Sequence, residues 1–174
     1  MTLLTASSRP GAAYVEDPAP GHTGGFGEPT CQACHFGEAL NDPAGALRVE
    51  GVPERAEPGA THRLTVVLAH PGLQRGGFQL SVRLTDGTQA GGLESVDARS
   101  RVTRADGTSL AYAHHTPEGT QTQAPGTLRW EFRWTAPSEP SGRVLFHVTA
   151  NASNDDDSPF GDSIYSAAAE TVVR

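Results

Sequence analysis

Leu128-Arg129-Trp130-Glu131-Phe132-Arg133-Trp134 is the stretch that decides the fold. Apolar and polar residues alternate without a break, and in an extended strand successive side chains point to opposite faces. Leu128, Trp130, Phe132 and Trp134 therefore share a buried face, and Arg129, Glu131 and Arg133 share a solvated one. The same period of two recurs on both sides. Phe78, Leu80, Val82 and Leu84 alternate with Gln79, Ser81, Arg83 and Thr85, and Val144, Phe146 and Val148 with Leu145, His147 and Thr149. Leu64, Val66 and Leu68 alternate with Thr65 and Val67. Weaker strands are predicted at 46–50, 100–104, 109–115 and 163–173.

Turn signals lie between them: Pro58-Gly59, Pro71-Gly72, Asp86-Gly87, Asp106-Gly107, Pro125-Gly126 and Ser141-Gly142. Seven or eight short strands at this spacing predict an all-β chain, an antiparallel β-sandwich of immunoglobulin-like character. The run from Asn151 to Gly161 reads as a long polar loop. Residues 1–21 carry no core-forming pattern and read as an extended N-terminal arm, leaving the sandwich to 22–174.

The chain has 174 residues, enough for one domain with a real core, and 36% of them are hydrophobic. Its net charge is −7. No basic stripe is present, so nucleic acid is not an expected partner, because phosphate neutralisation needs clustered cations. No apolar run approaches the roughly 18 residues of a membrane span. The start, Met1 to Ser8, lacks the positive n-region of a complete signal peptide. A leader remnant, a processed mature start and an artificial extension all fit it.

The chemistry is concentrated in Cys31-Gln32-Ala33-Cys34-His35. C-x-x-C-H reads as a c-type heme attachment site. On a turn of helix, two thiols three residues apart lie on one face and can each bond a heme vinyl group, and the next residue, His35, can offer its imidazole to the iron as proximal ligand. Residues 31–40 are predicted to form a turn or two of helix, limited by Pro43. Phe26, Phe36 and Leu40 flank the attachment site and are candidate walls of the heme pocket.

Two other readings compete. A C-x-x-C redox pair belongs in a βαβ unit, which this pattern lacks. A zinc site needs four ligands, and there is one Cys pair. A disulfide between residues so close would close almost no loop.

The only Met is Met1, so a second axial ligand would be a histidine. His62, His70 and His147 read as surface or structural rings. His114 and His115 are neighbours and must point to opposite faces of a strand. His22 lies nine residues before Cys31 on a Gly-rich stretch able to fold back over a heme.

The run from Thr23 through Cys31 and Cys34 to Gly37 resembles the opening of bacterial reeler-like domains of the choice-of-anchor type V family. Gly76-Gly77-Phe78-Gln79-Leu80, Ala90-Gly91, His115-Thr116, Trp134-Thr135-Ala136-Pro137 and the stretch from Asn151 to Asp162 are similar to that family too. The resemblance spans about residues 22–170. It implies an immunoglobulin-like sandwich and an exported, often surface-associated protein, periplasmic or extracellular. The family's His-Thr pair matches His115-Thr116, which makes His115 the first candidate for the distal ligand, with His22 and His114 as alternatives.

Asp155, Asp156, Asp157 and Asp162 could together attract Ca²⁺. Their spacing does not fit an EF-hand, and a solvated, turn-capping loop is the favoured reading. Asn151-Ala152-Ser153 fits the glycosylation pattern, read here as coincidence.

Three functions are weighed. The first is an exported monoheme c-type cytochrome with bis-histidine ligation, carrying electrons to a redox partner protein or between hemes of an assembly joined by the N-terminal arm; it is an electron carrier rather than an enzyme. The second is a five-coordinate heme sensor or enzyme, with His114 or His115 as distal acid/base. The third is a surface binding or adhesion module in which heme is structural.

Overall fold

A computed structural model describes residues 18–174. The arm of residues 1–21 therefore lies mostly outside the described residues, as does Met1. In chain order the strands are β1 (Phe36–Gly37), β2 (Ala46–Glu50), β3 (Arg55–Ala56), β4 (Thr61–Ala69), β5 (Arg75–Leu84), β6 (Gly92–Ser95), β7 (Ser100–Arg104), β8 (Ala111–His115), β9 (Thr127–Thr135), β10 (Gly142–Ser153) and β11 (Phe160–Val173). They form two sheets. The larger runs β1-β11-β10-β5-β8-β7, with β3 also paired to β11, and the smaller runs β2-β4-β9-β6. Most neighbours are antiparallel; the two-residue strands β1 and β3 run parallel to β11.

The alternating residues meet between the sheets. Leu128, Trp130, Phe132 and Trp134 from β9 and Leu64, Val66 and Leu68 from β4 face Phe78, Leu80 and Val82 of β5 and Val144, Phe146 and Val148 of β10. Each such side chain, fully buried, contributes roughly 1.5–3 kcal/mol. The two indoles also need partners for their N–H groups: Trp130 donates to the Gly119 carbonyl at 2.8 Å and Trp134 to the Ala90 carbonyl at 2.9 Å.

Three expectations are corrected. β8 starts at Ala111 rather than Ser109, because Ser109 and Leu110 belong to a turn in which the Ala105 N–H donates to the Leu110 carbonyl. The predicted loop 151–161 shrinks to 154–159. Residues Asn151, Ala152 and Ser153 continue the ladder opposite Gly77, Gly76 and Arg75, because the buried amide of Asn151 finds polar partners and Ala152 keeps the inward alternation. Residues 31–40 form a single 3₁₀ turn, Cys31–Ala33, before the chain is drawn into β1.

The sequence pattern predicts one buried face per strand, yet β5 is buried on both. Its second face is covered by residues 19–30, which cross the outside of β5, β8 and β10 as a strap. The His22 N–H donates to Gln79 Oε1 at 2.7 Å, and the Gln79 amide returns a bond to the Ala19 carbonyl at 2.9 Å. Thr149 Oγ1 donates to the His22 carbonyl at 2.5 Å. Glu28 lies at the centre of the fastening: it accepts from Thr23 Oγ1 at 2.5 Å, from the Tyr112 hydroxyl at 2.6 Å and from the buried guanidinium of Arg83. The strap comes so near β10 that a Cβ at Gly25 would lie 2.3 Å from the His147 ring, so only glycine fits there.

Candidate functional site

The strap delivers the Cys pair to the end of the larger sheet. Thr30 caps the 3₁₀ turn, its hydroxyl accepting from the Gln32 N–H. Beyond His35 the Phe36 N–H donates to the Pro159 carbonyl, which joins the segment to β11. His35 is thus held from both sides. Its Nδ1 lies 2.6 Å from Asp162 Oδ2, and the Asn151 amide donates to that same oxygen at 2.9 Å. Asp162 is 1% exposed and the His35 side chain 18%. Burial pushes the Asp162 carboxyl up, but the bonds from His35 and Asn151 outweigh this and hold it below its ordinary value. The Asn151 amide nitrogen also lies 2.9 Å from His35 Nδ1, so both side chains meet the ring at this one nitrogen and leave Nε2 clear of them.

Cys31 and Cys34 are free thiols. Cys31 Sγ is 3.2 Å from Thr149 Oγ1, and burial pushes its pKa up to about 11, against a partial lowering by that contact. A thiol nucleophile of a redox pair needs the opposite shift. Cys34 is exposed.

Both cysteines and His35 open onto a cavity of about 350 Å³ with mostly apolar walls, a size and character within the range of cofactor pockets. His22 and His115 lie on the same wall set. His115, at the end of β8, is 8% exposed, and its Nδ1 sits 3.1 Å from the Phe78 nitrogen and 3.3 Å from the Phe78 carbonyl oxygen. The ring rests on Gly77, where a Cβ would come within 2.4 Å of its Cε1. His114 turns away, as strand alternation requires. It is fully buried, its Nδ1 is 2.8 Å from the His115 carbonyl, and it does not line the cavity, which corrects its place among the distal candidates.

The expected pocket walls are also elsewhere. Phe26 stands at the other end of the strap, its ring 5.1 Å from the Arg83 guanidinium and edge-on to His147. Phe36 pairs with Phe160 at 5.6 Å on the surface, 49% and 63% exposed, and Leu40 is exposed. Flanking in sequence placed these residues near the attachment turn, but β1 carries Phe36 outward. The acidic set is split as well: Asp155, Asp156 and Asp157 are exposed on the 154–159 loop, whereas Asp162 is buried against His35. Among the described residues no three His, Cys, Asp or Glu side chains gather as a metal-binding group. Asn151 is buried, so its sequon is not offered to solvent.

Sequence reasoning missed Asp162, Asn151, Thr149, Gly77 and Arg75. Asp162 and Asn151 come to His35 only through the β10–β11 pairing, in which Asn151 is opposite Ile164. Gly77 precedes the alternating run that begins at Phe78, and only the extension of β5 back to Arg75 shows it as a strand glycine that admits close approach of another group. Arg75 is the one Lys or Arg among the residues lining the cavity, and its Nε also pairs with Asp155 at 2.9 Å.

No family model matches this sequence, and no curated protein is similar to it. Solved structures are. The reelin-N domain of F-spondin shares 22% identity, with a TM-score of 0.53, over 83% of this chain and 95% of that one. A human F-spondin reeler domain shares 21% identity, with a TM-score of 0.53, over 80% and 94%. A cohesin module from a Clostridium perfringens family 33 glycoside hydrolase shares 9% identity, with a TM-score of 0.52, over 75% and 97%. The chain is a two-sheet, reeler-like β-sandwich. No helix among the described residues is long and apolar enough to cross a membrane.

Proposed function

We propose that this chain is an exported monoheme c-type cytochrome that carries electrons, built on a reeler-like sandwich. One observation carries the reading: Cys31, Cys34 and His35 of the C-x-x-C-H segment, nearby His22 and, from far along the chain, His115 line a single apolar-walled cavity. Cys31 and Cys34 would form the thioethers, His35 would ligate the iron, and His115 is the first candidate for a second iron ligand, with His22 the alternative. Arg75 would supply positive charge to the carboxylates that such a cofactor carries, in a chain of net charge −7. The bound group supplies a one-electron iron couple, and two histidine ligands would favour electron transfer over ligand activation.

The residues present fit that group. His35 is held at Nδ1 by Asp162, burial pushes the Cys31 thiol up to about 11, and Gly77 makes room for His115. Export accords with the resemblance to reeler-like domains and with the need to attach heme outside the cytoplasm. A diffusing redox partner, or neighbouring copies in an assembly, would receive the electron.

The test is optical spectroscopy of protein matured in a periplasm with heme-attachment machinery. Covalent heme with sharp low-spin bands, unchanged by carbon monoxide, is expected, and His115→Ala should make it high-spin. Ready carbon monoxide binding by the wild type would favour a sensor or enzyme. Absence of heme would leave a binding module, the reading that the fold alone permits.

A further inference from the structure

The buried carboxylate of Asp162 has no counterpart in the C-x-x-C-H motif. Its oxygen is 2.6 Å from His35 Nδ1, its side chain is almost wholly removed from water, and its orientation is fixed by the Asn151 amide, itself buried. The backbone adds a second constraint. Gly37 is opposite Asp162 in the β1–β11 pair, and a Cβ at Gly37 would lie 2.2 Å from the Asp162 carbonyl oxygen, so the strand after His35 is pressed against the strand that carries the carboxylate. The imidazole is gripped at one nitrogen, and its other nitrogen is the one left for a ligand.

We infer that Asp162 is a positioning residue for His35: its carboxyl oxygen, 2.6 Å from Nδ1, fixes the Nδ1–H tautomer and makes the imidazole a stronger donor to an iron bound at Nε2. This rests on the cytochrome reading above. A ligating histidine whose second N–H goes to a carboxylate is oriented and more basic than one bonded to a neutral acceptor. Stronger donation favours the oxidised metal, so Asp162 holds the potential of the site below the value that a neutral acceptor would give. The Asn151 amide holds the carboxylate oxygen at the ring and itself lies 2.9 Å from His35 Nδ1.

Two measurements decide it. In the apoprotein, ¹⁵N NMR of the histidine rings is expected to show His35 protonated at Nδ1 and bare at Nε2 near pH 7; the reverse tautomer, or a free mixture of both, would overturn the inference without any variant. In heme-loaded protein, Asp162→Asn is expected to keep the covalent heme and shift the midpoint potential upward, with Asp162→Glu restoring part of the shift. Loaded Asp162→Asn protein with an unmoved potential would refute the positioning role while leaving the cytochrome reading intact. A wild type that takes up no heme would instead overturn the cytochrome reading itself, and this inference with it.

Discussion

Removing Glu28 should unfasten the strap while sparing the sandwich. The carboxylate accepts from Thr23, Tyr112 and Arg83, and the Arg83 side chain beneath it is only 6% exposed. Bonds to a charged group contribute about 1.5–3 kcal/mol each, but desolvating the carboxylate offsets part of that. Breaking a buried pair by deleting one partner costs about 3–5 kcal/mol, since the other charge is left buried alone. Glu28→Ala is therefore expected to raise the strap-opening equilibrium constant by about two to four orders of magnitude, about 3–5 kcal/mol, read by hydrogen exchange at the amides of His22 and Gly24. The global loss in urea denaturation can be no larger than the free energy with which the strap docks. The interaction also has a pH signature. Burial alone would raise the Glu28 carboxyl, yet the bonds from Thr23, Tyr112 and Arg83 leave it below its ordinary 4.5. Its contribution is thus fully present above about pH 4.5 and is lost as the pH falls through the lower folded-state value. Unchanged exchange at residues 22–28 in Glu28→Ala, or a change worth under about 1 kcal/mol, would refute the reasoning.

Further outcomes follow from single contacts. Gly77→Ala puts a methyl group 2.4 Å from the His115 ring and is expected to cost about 1–3 kcal/mol in thermal denaturation and, in loaded protein, to introduce a high-spin fraction. In the apoprotein iodoacetamide should label exposed Cys34 well before Cys31, whose pKa is about 11, and mass spectrometry of timed samples checks the order. Trp130→Ala should cost about 3–5 kcal/mol by chemical denaturation, since it empties the core and leaves the Gly119 carbonyl with only the longer bond from Arg99. His147 has a folded-state pKa lowered by burial and by Arg83, so it opposes protonation; stability should fall as the pH drops below 6.5 towards the lower folded-state value, and His147→Asn should flatten that slope.

The inter-sheet core was legible because its signal is local: β9, β5, β10 and β4 each announce an inward face by alternation, and strands 46–50 and 100–104 emerge with the expected bounds. The outward face of β5 was not. Gln79, Ser81 and Arg83 look like solvent residues until the strap is laid over them, and nothing local in a Gly-rich segment says where it lies. The attachment turn was read from five consecutive residues. His115 was singled out through a family pairing, and the cavity brings it to Cys31 and His35. Phe26, Phe36 and Leu40 were chosen by proximity in sequence, which fails where a strand reverses the direction of its neighbours. Asp162 and Asn151 reach His35 only by cross-strand pairing, a relation spread over more than a hundred residues of chain.

Among the described residues, the hydrophobic cluster between the sheets, with the apolar residues packed on it, takes no side chain from before Leu47. The segment that carries Cys31, Cys34 and His35 lies as a layer on top of a sandwich whose interior is packed without it, fastened by Glu28 and a handful of other hydrogen bonds, while His115 and Asp162 rise to it from the sheet beneath. Such a layer can lift and settle while the interior stays shut, which gives a reagent for both thiols a way to reach Cys31 in an otherwise folded molecule. It also means that the thiol-bearing segment could change among sandwiches of this kind with no repacking of the tryptophans beneath.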